Sequence, residues 1–201
     1  DCEIIFIAGV LIDPEYYSKY YPQNYYDKEL SNNLINLFVN LIEKISIKIK
    51  ERQILNNLLN KKFKLKILDI GCGNGRFLTN ISNSRFDKYG VEINPEGYKR
   101  CREKKLKTYN QELKNINFED NFFDVITLWH VIEHLDNPSE VMLNIKKILK
   151  KEGILVISTP NTTSLGFKYG QSLWFHLDAP RHLILYNKKS LEHLLNRLRF
   201  K

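Results

Sequence analysis

Three glycines separated by single residues form the clearest chemical signal in this 201-residue chain. A short apolar stretch ending at Ile70 runs directly into the turn Gly71-Cys72-Gly73-Asn74-Gly75, and a helical pattern follows. Glycine has no Cβ, so a ligand can lie against such a turn and φ can become positive. A strand, a glycine-rich turn and a helix in this order are typical of a nucleotide-type cofactor site at the carboxyl edge of a parallel sheet.

The glycine spacing and one acidic residue narrow the class of ligand. The turn reads G-x-G-x-G and not the G-x-G-x-x-G that places a pyrophosphate on a helix N-terminus. Asp69, at the end of the strand, disfavours phosphates but can hold an ammonium group. The site therefore favours a nucleoside with a cationic amino-acid head. The rival is a dinucleotide oxidoreductase, which would need room for a pyrophosphate beside Asp69.

Four segments in the right order resemble the class I methyltransferases, which use S-adenosylmethionine (SAM), over roughly residues 60–200. The segments are Ile67–Gly75, Tyr89–Asn94, Phe122–Leu135 and Gly153–Asn161. The resemblance implies SAM as the cofactor and methyl transfer as the reaction. The cofactor-binding residues expected on this basis are Asp69, Gly71, Cys72, Gly73, Glu92, Ile93, Glu112, Leu113 and Trp129.

Two acidic residues are expected to contact the nucleoside. Glu92 ends the second strand, about 20 residues after the glycine turn, where a carboxylate can accept hydrogen bonds from both ribose hydroxyls. The alternative for Glu92 is a solvated residue at a strand end. The resemblance places Glu112 and Leu113 beside the adenine. Many members of the family have Gly-Asp where this chain has Gln111-Glu112, so a plain surface glutamate is the alternative.

The fourth strand ends in Trp129 and His130, where cofactor and acceptor should meet. Trp129 is expected to pack beside the sulfonium or the adenine. His130 and His134 are one helical turn apart, but their order does not match the H-E-x-x-H zinc signature, so no metal site is predicted. The resemblance instead places Glu133 and His134 on a short helix that supports the pocket.

The segment Trp174–Leu183 concentrates histidine, arginine and tryptophan between the last strand and the last helix. It resembles a Pro-Arg-His-Leu segment in methyltransferases that act on small or glycan-like acceptors. His182 is the leading candidate for a general base, with His130 as the second catalytic candidate, because a neutral imidazole can take a hydroxyl proton near pH 7. Packing against the final helix is an equal alternative for His182. Arg181 is a candidate for holding an anionic acceptor.

These residues require a framework of alternating strands and helices. The hydrophobic pattern predicts a Rossmann-like α/β fold, with a doubly wound, mostly parallel sheet between two helical layers. A long amphipathic helix is predicted over 29–59, with Ser31 as its cap. Strands are predicted at 65–70, 87–93, 107–110, 122–128 and 153–158, and helices at 75–82, 95–105, 138–149 and 188–198.

Two regions are expected along the chain. Residues 1–59 form a tyrosine-rich segment and the amphipathic helix, and residues 60–201 form the SAM-binding core. The tyrosines form either a strap over the core or a lid on the pocket. The resemblance implies seven strands, of which the last two are missing here, so a fragment of a longer protein is expected. In members of the resembled family a tyrosine-rich stretch often follows a small cysteine-based zinc module. Only Cys2 could be a remnant of one here, so no zinc site is expected in this chain, and a module upstream of it stays an open alternative.

Bulk composition sets limits on partners and compartment. The net charge of +8 comes from scattered lysines among many Asn and Ile residues, which is typical of an AT-rich genome and does not favour a nucleic-acid partner. Three dispersed cysteines indicate a reducing, cytoplasmic location. No apolar run reaches the length needed for membrane insertion. The oligomeric state is left open.

The sequence therefore predicts a SAM-dependent methyltransferase for a small-molecule or glycan-type acceptor, with a hydroxyl oxygen as the expected target. Two alternatives remain open. One is an RNA or protein methyltransferase, which would need a basic groove at the pocket mouth. The other is a methyltransferase-like scaffold that has lost catalysis, against which the intact Gly71, Gly73, Asp69 and Glu92 argue.

Overall fold

The computed structural model describes residues 4–7, 19–20, 33–58 and 64–200. The main-sheet strands are β2 (Leu65–Ile70), β3 (Phe86–Val91), β4 (Lys107–Tyr109), β5 (Phe123–Trp129) and β6 (Leu149–Ser158). They are all parallel to their neighbours and lie in the order β4-β3-β2-β5-β6. The helices are α1 (Asn33–Asn56), α2 (Arg76–Asn80), α3 (Pro95–Glu103), α4 (Pro138–Ile148), α5 (Leu165–Gly170) and α6 (Lys188–Arg197).

Alternating side chains of the central strands divide the core into two clusters, one on each face of the sheet. Ile67 of β2 and Val125 of β5 face α1, α2 and α3, whereas Leu68 and Ile126 face α4 and α6. Both faces of a parallel sheet must be covered, which explains why these strands are almost continuously apolar. The predicted three-layer Rossmann-like fold is confirmed.

The predicted strands and helices are all present, with shifted ends. The clearest error is β6, which begins at Leu149 and not at 153, because Leu149 pairs with Phe123 across an irregularity in the ladder. The helix predicted to end at 149 therefore stops at Ile148. The strand predicted over 87–93 ends at Val91, the last residue of its ladder with β4.

Short elements outside the main sheet lie close to its carboxyl edge. Strand β1 (Ile5–Phe6) pairs antiparallel with β7 (Ile184–Leu185), directly after the His182 segment. Ser31 lies outside the described residues, as do the tyrosines of the N-terminal segment 1–27 other than Tyr20. Within the described ranges, no helix is both long enough and apolar enough to cross a membrane.

Candidate functional site

The glycine turn follows β2 at the centre of the carboxyl edge. Gly71, Gly73 and Gly75 have φ values of +65°, +55° and +74°, which residues other than glycine rarely adopt. A Cβ on Gly71 would lie 2.6 Å from Cγ2 of Val131, so the turn is packed against the loop after β5. The sequence therefore places glycine where both the backbone angle and the close approach require it.

Glu92 holds the glycine turn in place. One carboxylate oxygen accepts a hydrogen bond from the Gly73 amide at 2.7 Å, and the other accepts one from the Asn94 amide at 2.8 Å. Glu92 is only 6% exposed, which excludes a solvated strand end. Burial raises the pKa of Glu92, although the backbone hydrogen bonds oppose that rise. Each carboxylate oxygen can accept a further hydrogen bond, so the group remains suited to ribose hydroxyls.

Asp69 lies beneath the turn and is 2% exposed. Its Oδ1 accepts a hydrogen bond of 2.6 Å from the Thr127 hydroxyl on the neighbouring strand. Burial raises the pKa of Asp69 to about 7, and the negative charge of Glu92 adds to the rise, while Thr127 and Lys50 oppose it. This carboxyl group titrates near neutrality, and a cation placed beside it would favour its ionised form.

Trp129 and Lys50 complete this end of the site. The Lys50 Nζ lies 4.0 Å from the centroid of the Trp129 ring, and Phe77 packs edge-on against the same ring at 5.2 Å. The Trp129 Nε1 is buried and has no hydrogen-bond partner among the residues that the structure describes. A buried donor without an acceptor is expected to cost about 1–3 kcal/mol, so a ligand acceptor would satisfy it.

The residues expected to lie beside the adenine form a less complete site. Leu113 is buried in the core, whereas Glu112 is exposed and forms an ion pair with Lys114 at 2.8 Å. Ile93 is exposed beside Glu92 and offers an apolar surface. Glycines at positive φ, an unsatisfied donor and two buried acids fit a nucleoside with a cationic amino-acid head. The cofactor residues expected from the sequence thus gather at one edge, with Glu112 facing solvent.

A second group of polar side chains lies beside Trp129, after the end of β5. His130 has a φ of +56°, which is rare outside glycine and is often found where function holds the backbone under strain. Its Nδ1 lies 3.2 Å from a Glu133 carboxylate oxygen, and its Nε2 lies 3.5 Å from the Ser158 hydroxyl. The side chain of His130 is 52% exposed.

Glu133 is fully buried beneath His130. Burial alone would raise its pKa, but hydrogen bonds from His130, from the backbone and from Thr159 together hold the pKa below its usual value. The Thr159 hydroxyl donates to the second carboxylate oxygen at 3.0 Å. Because Glu133 is ionised, the His130 Nδ1 must be the donor of their hydrogen bond, which leaves its Nε2 as an acceptor.

His182 is placed less favourably for contact with an acceptor. It is 7% exposed, its Nδ1 donates to the His176 carbonyl at 2.7 Å, and its ring meets His134 edge-on at 4.7 Å. Ligand atoms of Glu133, His134 and His182 lie within 4.8 Å of one another, so these three could together hold a metal ion. The two possible metal ligands considered from the sequence were His130 and His134, which is a different set.

Arg181 is engaged with Asp178. Its guanidinium donates to one carboxylate oxygen of Asp178 from Nε at 3.1 Å and from Nη2 at 2.7 Å. The Arg181 carbonyl also accepts a hydrogen bond of 2.8 Å from the His134 Nδ1. Arg181 therefore ties the loop before β7 to the His134 turn.

Comparisons with known proteins bear on the family and the fold. Residues 40–201 match a family model described as a methyltransferase domain. Ubiquinone biosynthesis O-methyltransferase from Rickettsia bellii is 33% identical over 115 residues, covering 53% of this chain and 46% of that protein. The same enzyme from Rickettsia typhi is 31% identical over 116 residues, with the same shares covered. The chain matches about half the length of these curated relatives.

Solved structures share the fold. A SAM-dependent methyltransferase from Archaeoglobus fulgidus superposes with a TM-score of 0.61 at 28% identity, covering 77% of this chain and 69% of that one. The plantazolicin methyltransferase BpumL, solved with S-adenosylhomocysteine (SAH), gives a TM-score of 0.67 at 21% identity, covering 91% and 72%. At that identity the second likeness concerns the fold alone.

Proposed function

The chain belongs to the SAM-dependent methyltransferases of class I, and from that premise we propose that it methylates a hydroxyl oxygen of a small-molecule or glycan-type acceptor. SAM, when bound, supplies a methyl group activated by positive sulfur. The protein must then align the acceptor, exclude water and take up the hydroxyl proton. The curated relatives named above are O-methyltransferases, which agrees with an oxygen acceptor.

The observation that carries this proposal is the pair formed by His130 and Glu133. The buried carboxylate fixes the ring and its tautomer through the hydrogen bond at Nδ1, so Nε2 points its lone pair away from Glu133. An acceptor hydroxyl within reach of Nε2 would pass its proton to His130 as the oxygen attacks the methyl group. The resulting imidazolium would then be stabilised by Glu133, as in other carboxylate–histidine pairs.

In this proposal His130 is the base and His182 is a positioning residue. His130 is half exposed beside Trp129, whereas His182 is buried and holds the ring of His134. Arg181 is not assigned to an anionic acceptor, because Asp178 already accepts hydrogen bonds from its guanidinium.

The test is methyl transfer from labelled SAM to a panel of catechols, phenols and sugars. His130→Ala should lower turnover about 100-fold to 10,000-fold, which is the usual contribution of a general base. The same variant should keep its affinity for SAH. His193→Ala, on the exposed face of α6, is the matched control and should not change turnover. Unchanged turnover in His130→Ala would exclude His130 as the base.

A further inference from the structure

Two free cysteines meet directly behind the glycine turn. Cys72 is the second residue of the turn, and Cys101 lies near the end of α3. Their sulfur atoms are 3.9 Å apart, although 29 positions separate the two residues in the chain. Both are buried thiols, with exposed fractions of 7% for Cys72 and 0% for Cys101. The fold therefore brings together two reactive groups that the proposed methyl transfer does not use.

Hydrogen bonds connect this thiol pair to the turn. The Cys101 Sγ donates to the Gly73 carbonyl at 3.2 Å, so the proton between the two sulfurs belongs to Cys72. The amide of the same Gly73 donates to Glu92. The hydrogen bond from Cys72 lowers the pKa of the Cys101 thiol, while burial opposes this effect. Cys101 is therefore the thiol of the pair that ionises more readily, and it supports the residue that Glu92 holds.

The two sulfurs are closely surrounded by backbone. A Cβ on Gly90 would lie 2.7 Å from the Cys72 sulfur, and a Cβ on Gly75 would lie 2.9 Å from the Cys101 sulfur. A disulfide bond is about 2.0 Å long, so the sulfurs would have to approach by nearly half of their present separation. In such dense packing this approach shifts the turn relative to α3. A disulfide also has no S–H group, so the hydrogen bond to the Gly73 carbonyl is lost.

We propose that Cys72 and Cys101 form an oxidation site, at which a disulfide bond made by hydrogen peroxide weakens cofactor binding. The oxidant must be as small as peroxide because both thiols are buried. A thiol is a weak donor, so displacing the Gly73 carbonyl from the Cys101 sulfur costs little. This inference rests on SAM as the cofactor and adds a control of its binding.

The oxidation proceeds in two balanced steps. Peroxide converts the Cys101 thiolate to a sulfenic acid, and the released hydroxide takes up the thiol proton to form water. The Cys72 sulfur then attacks the Cys101 sulfur, and the sulfenic oxygen leaves as a second water with the Cys72 proton. Two thiols and one peroxide thus give one disulfide and two waters, with two electrons passing from the sulfurs to the peroxide.

The experiment compares reduced and oxidised samples of the folded chain in two separate readouts. One sample is kept in dithiothreitol and the other is treated with hydrogen peroxide. Peptide mass spectrometry should show the peptides of Cys72 and Cys101 joined with the loss of two hydrogens. Titration calorimetry should show SAH binding weakened at least tenfold in the oxidised sample. Dithiothreitol should reverse both changes.

Three variants identify the sulfurs responsible. Cys101→Ala cannot form the disulfide, so its SAH affinity should change less than twofold on peroxide treatment. Cys101→Ser, which keeps a donor for the Gly73 carbonyl, should be equally insensitive to peroxide. Cys2→Ser keeps both buried thiols and is the matched control, so it should respond to peroxide like the wild type. Melting temperatures show whether each sample is folded.

The outcomes separate the oxidation site from the cofactor assignment. If peroxide produces no cross-link in the folded wild type, the inference is wrong. It is also wrong if the cross-link forms and SAH affinity is unchanged, or if Cys101→Ala loses as much affinity as the wild type. If the reduced chain binds no SAH, the cofactor assignment fails and the control of binding fails with it, whereas the cross-link is still measured on its own.

Discussion

Replacing Glu92 by glutamine tests the cofactor site at the residue that ties its parts together. The carboxylate accepts the Gly73 and Asn94 amides at 2.7 and 2.8 Å while buried at 6% exposure. Glutamine has the same shape but lacks the charge, and only its carbonyl oxygen can accept. Its NH₂ group must therefore face one of the two amide donors.

The expected effect on ligand binding follows from the hydrogen bonds at stake. A hydrogen bond to a charged group contributes about 1.5–3 kcal/mol, roughly twice the contribution of a neutral one. The loss of the charge toward the ribose hydroxyls should therefore weaken SAH binding about 10-fold to 100-fold, since about 1.4 kcal/mol is a factor of ten. Stability should fall less, because removing the charge also removes the penalty of burying it.

Titration calorimetry with SAH and urea unfolding of the same samples measure both effects. Glu119→Gln, which changes an exposed glutamate at a distance from the turn, is the matched control and should bind SAH like the wild type. An unchanged SAH affinity in a folded Glu92→Gln protein would refute the role of Glu92 in ribose binding.

Two further predictions concern the same edge of the sheet. Burial raises the pKa of Asp69 from its ordinary value of 3.8 to about 7, so the folded state favours the protonated form, and stability should fall as the pH rises from about 4 to 7. Asp69→Asn should flatten this dependence in urea unfolding at a series of pH values, and a slope equal to that of the wild type would contradict it. Binding of SAH should favour the ionised form, so its affinity should rise between pH 6 and 8. Gly71→Ala would place a Cβ 2.6 Å from Val131 at a φ of +65°, and should destabilise the protein by about 1–2 kcal/mol and weaken SAH binding. The double variant with Val131→Ala should recover part of the stability, and no recovery would show that backbone strain alone is responsible.

The main sheet was predictable because its central strands are buried on both faces. The runs of apolar residues around Ile67 and Val125 indicate buried strands, and this prediction does not require knowing which face of the sheet each side chain occupies. The start of β6 was missed because Lys150, Lys151 and Glu152 interrupt the apolar pattern. In the structure the Lys150 ammonium pairs with Asp124 at 2.9 Å, a long-range contact that local patterns do not reveal.

The position of the candidate cofactor site could be predicted, because the glycine turn and Glu92 are local signals with a fixed spacing; the contacts of these residues with a cofactor stay a prediction. Lys50 was overlooked, although it interrupts the apolar face between Ile47 and Ile54 and could have been found by following that face. Thr127 and Val131 were missed as well, since their contacts with Asp69 and Gly71 depend on the pairing of β2 with β5.

The part of the candidate site that is expected to bind the acceptor is formed where a loop folds back onto an earlier turn. The spacing of His130 and Glu133 is visible in the sequence, but the burial that makes Glu133 an orienting carboxylate is not. His176 and His182 reach the same place only because the segment before β7 folds back onto the turn after β5. Their relative exposure, which favours His130 as the base, required the structure.

The most direct measurement is titration of the purified, folded chain with SAH and, in a separate experiment, with NADH. A SAM site at the glycine turn predicts one bound SAH per chain and no binding of NADH. If the folded sample does not bind SAH, or binds NADH more tightly than SAH, the assignment of a SAM site to this edge of the sheet is contradicted.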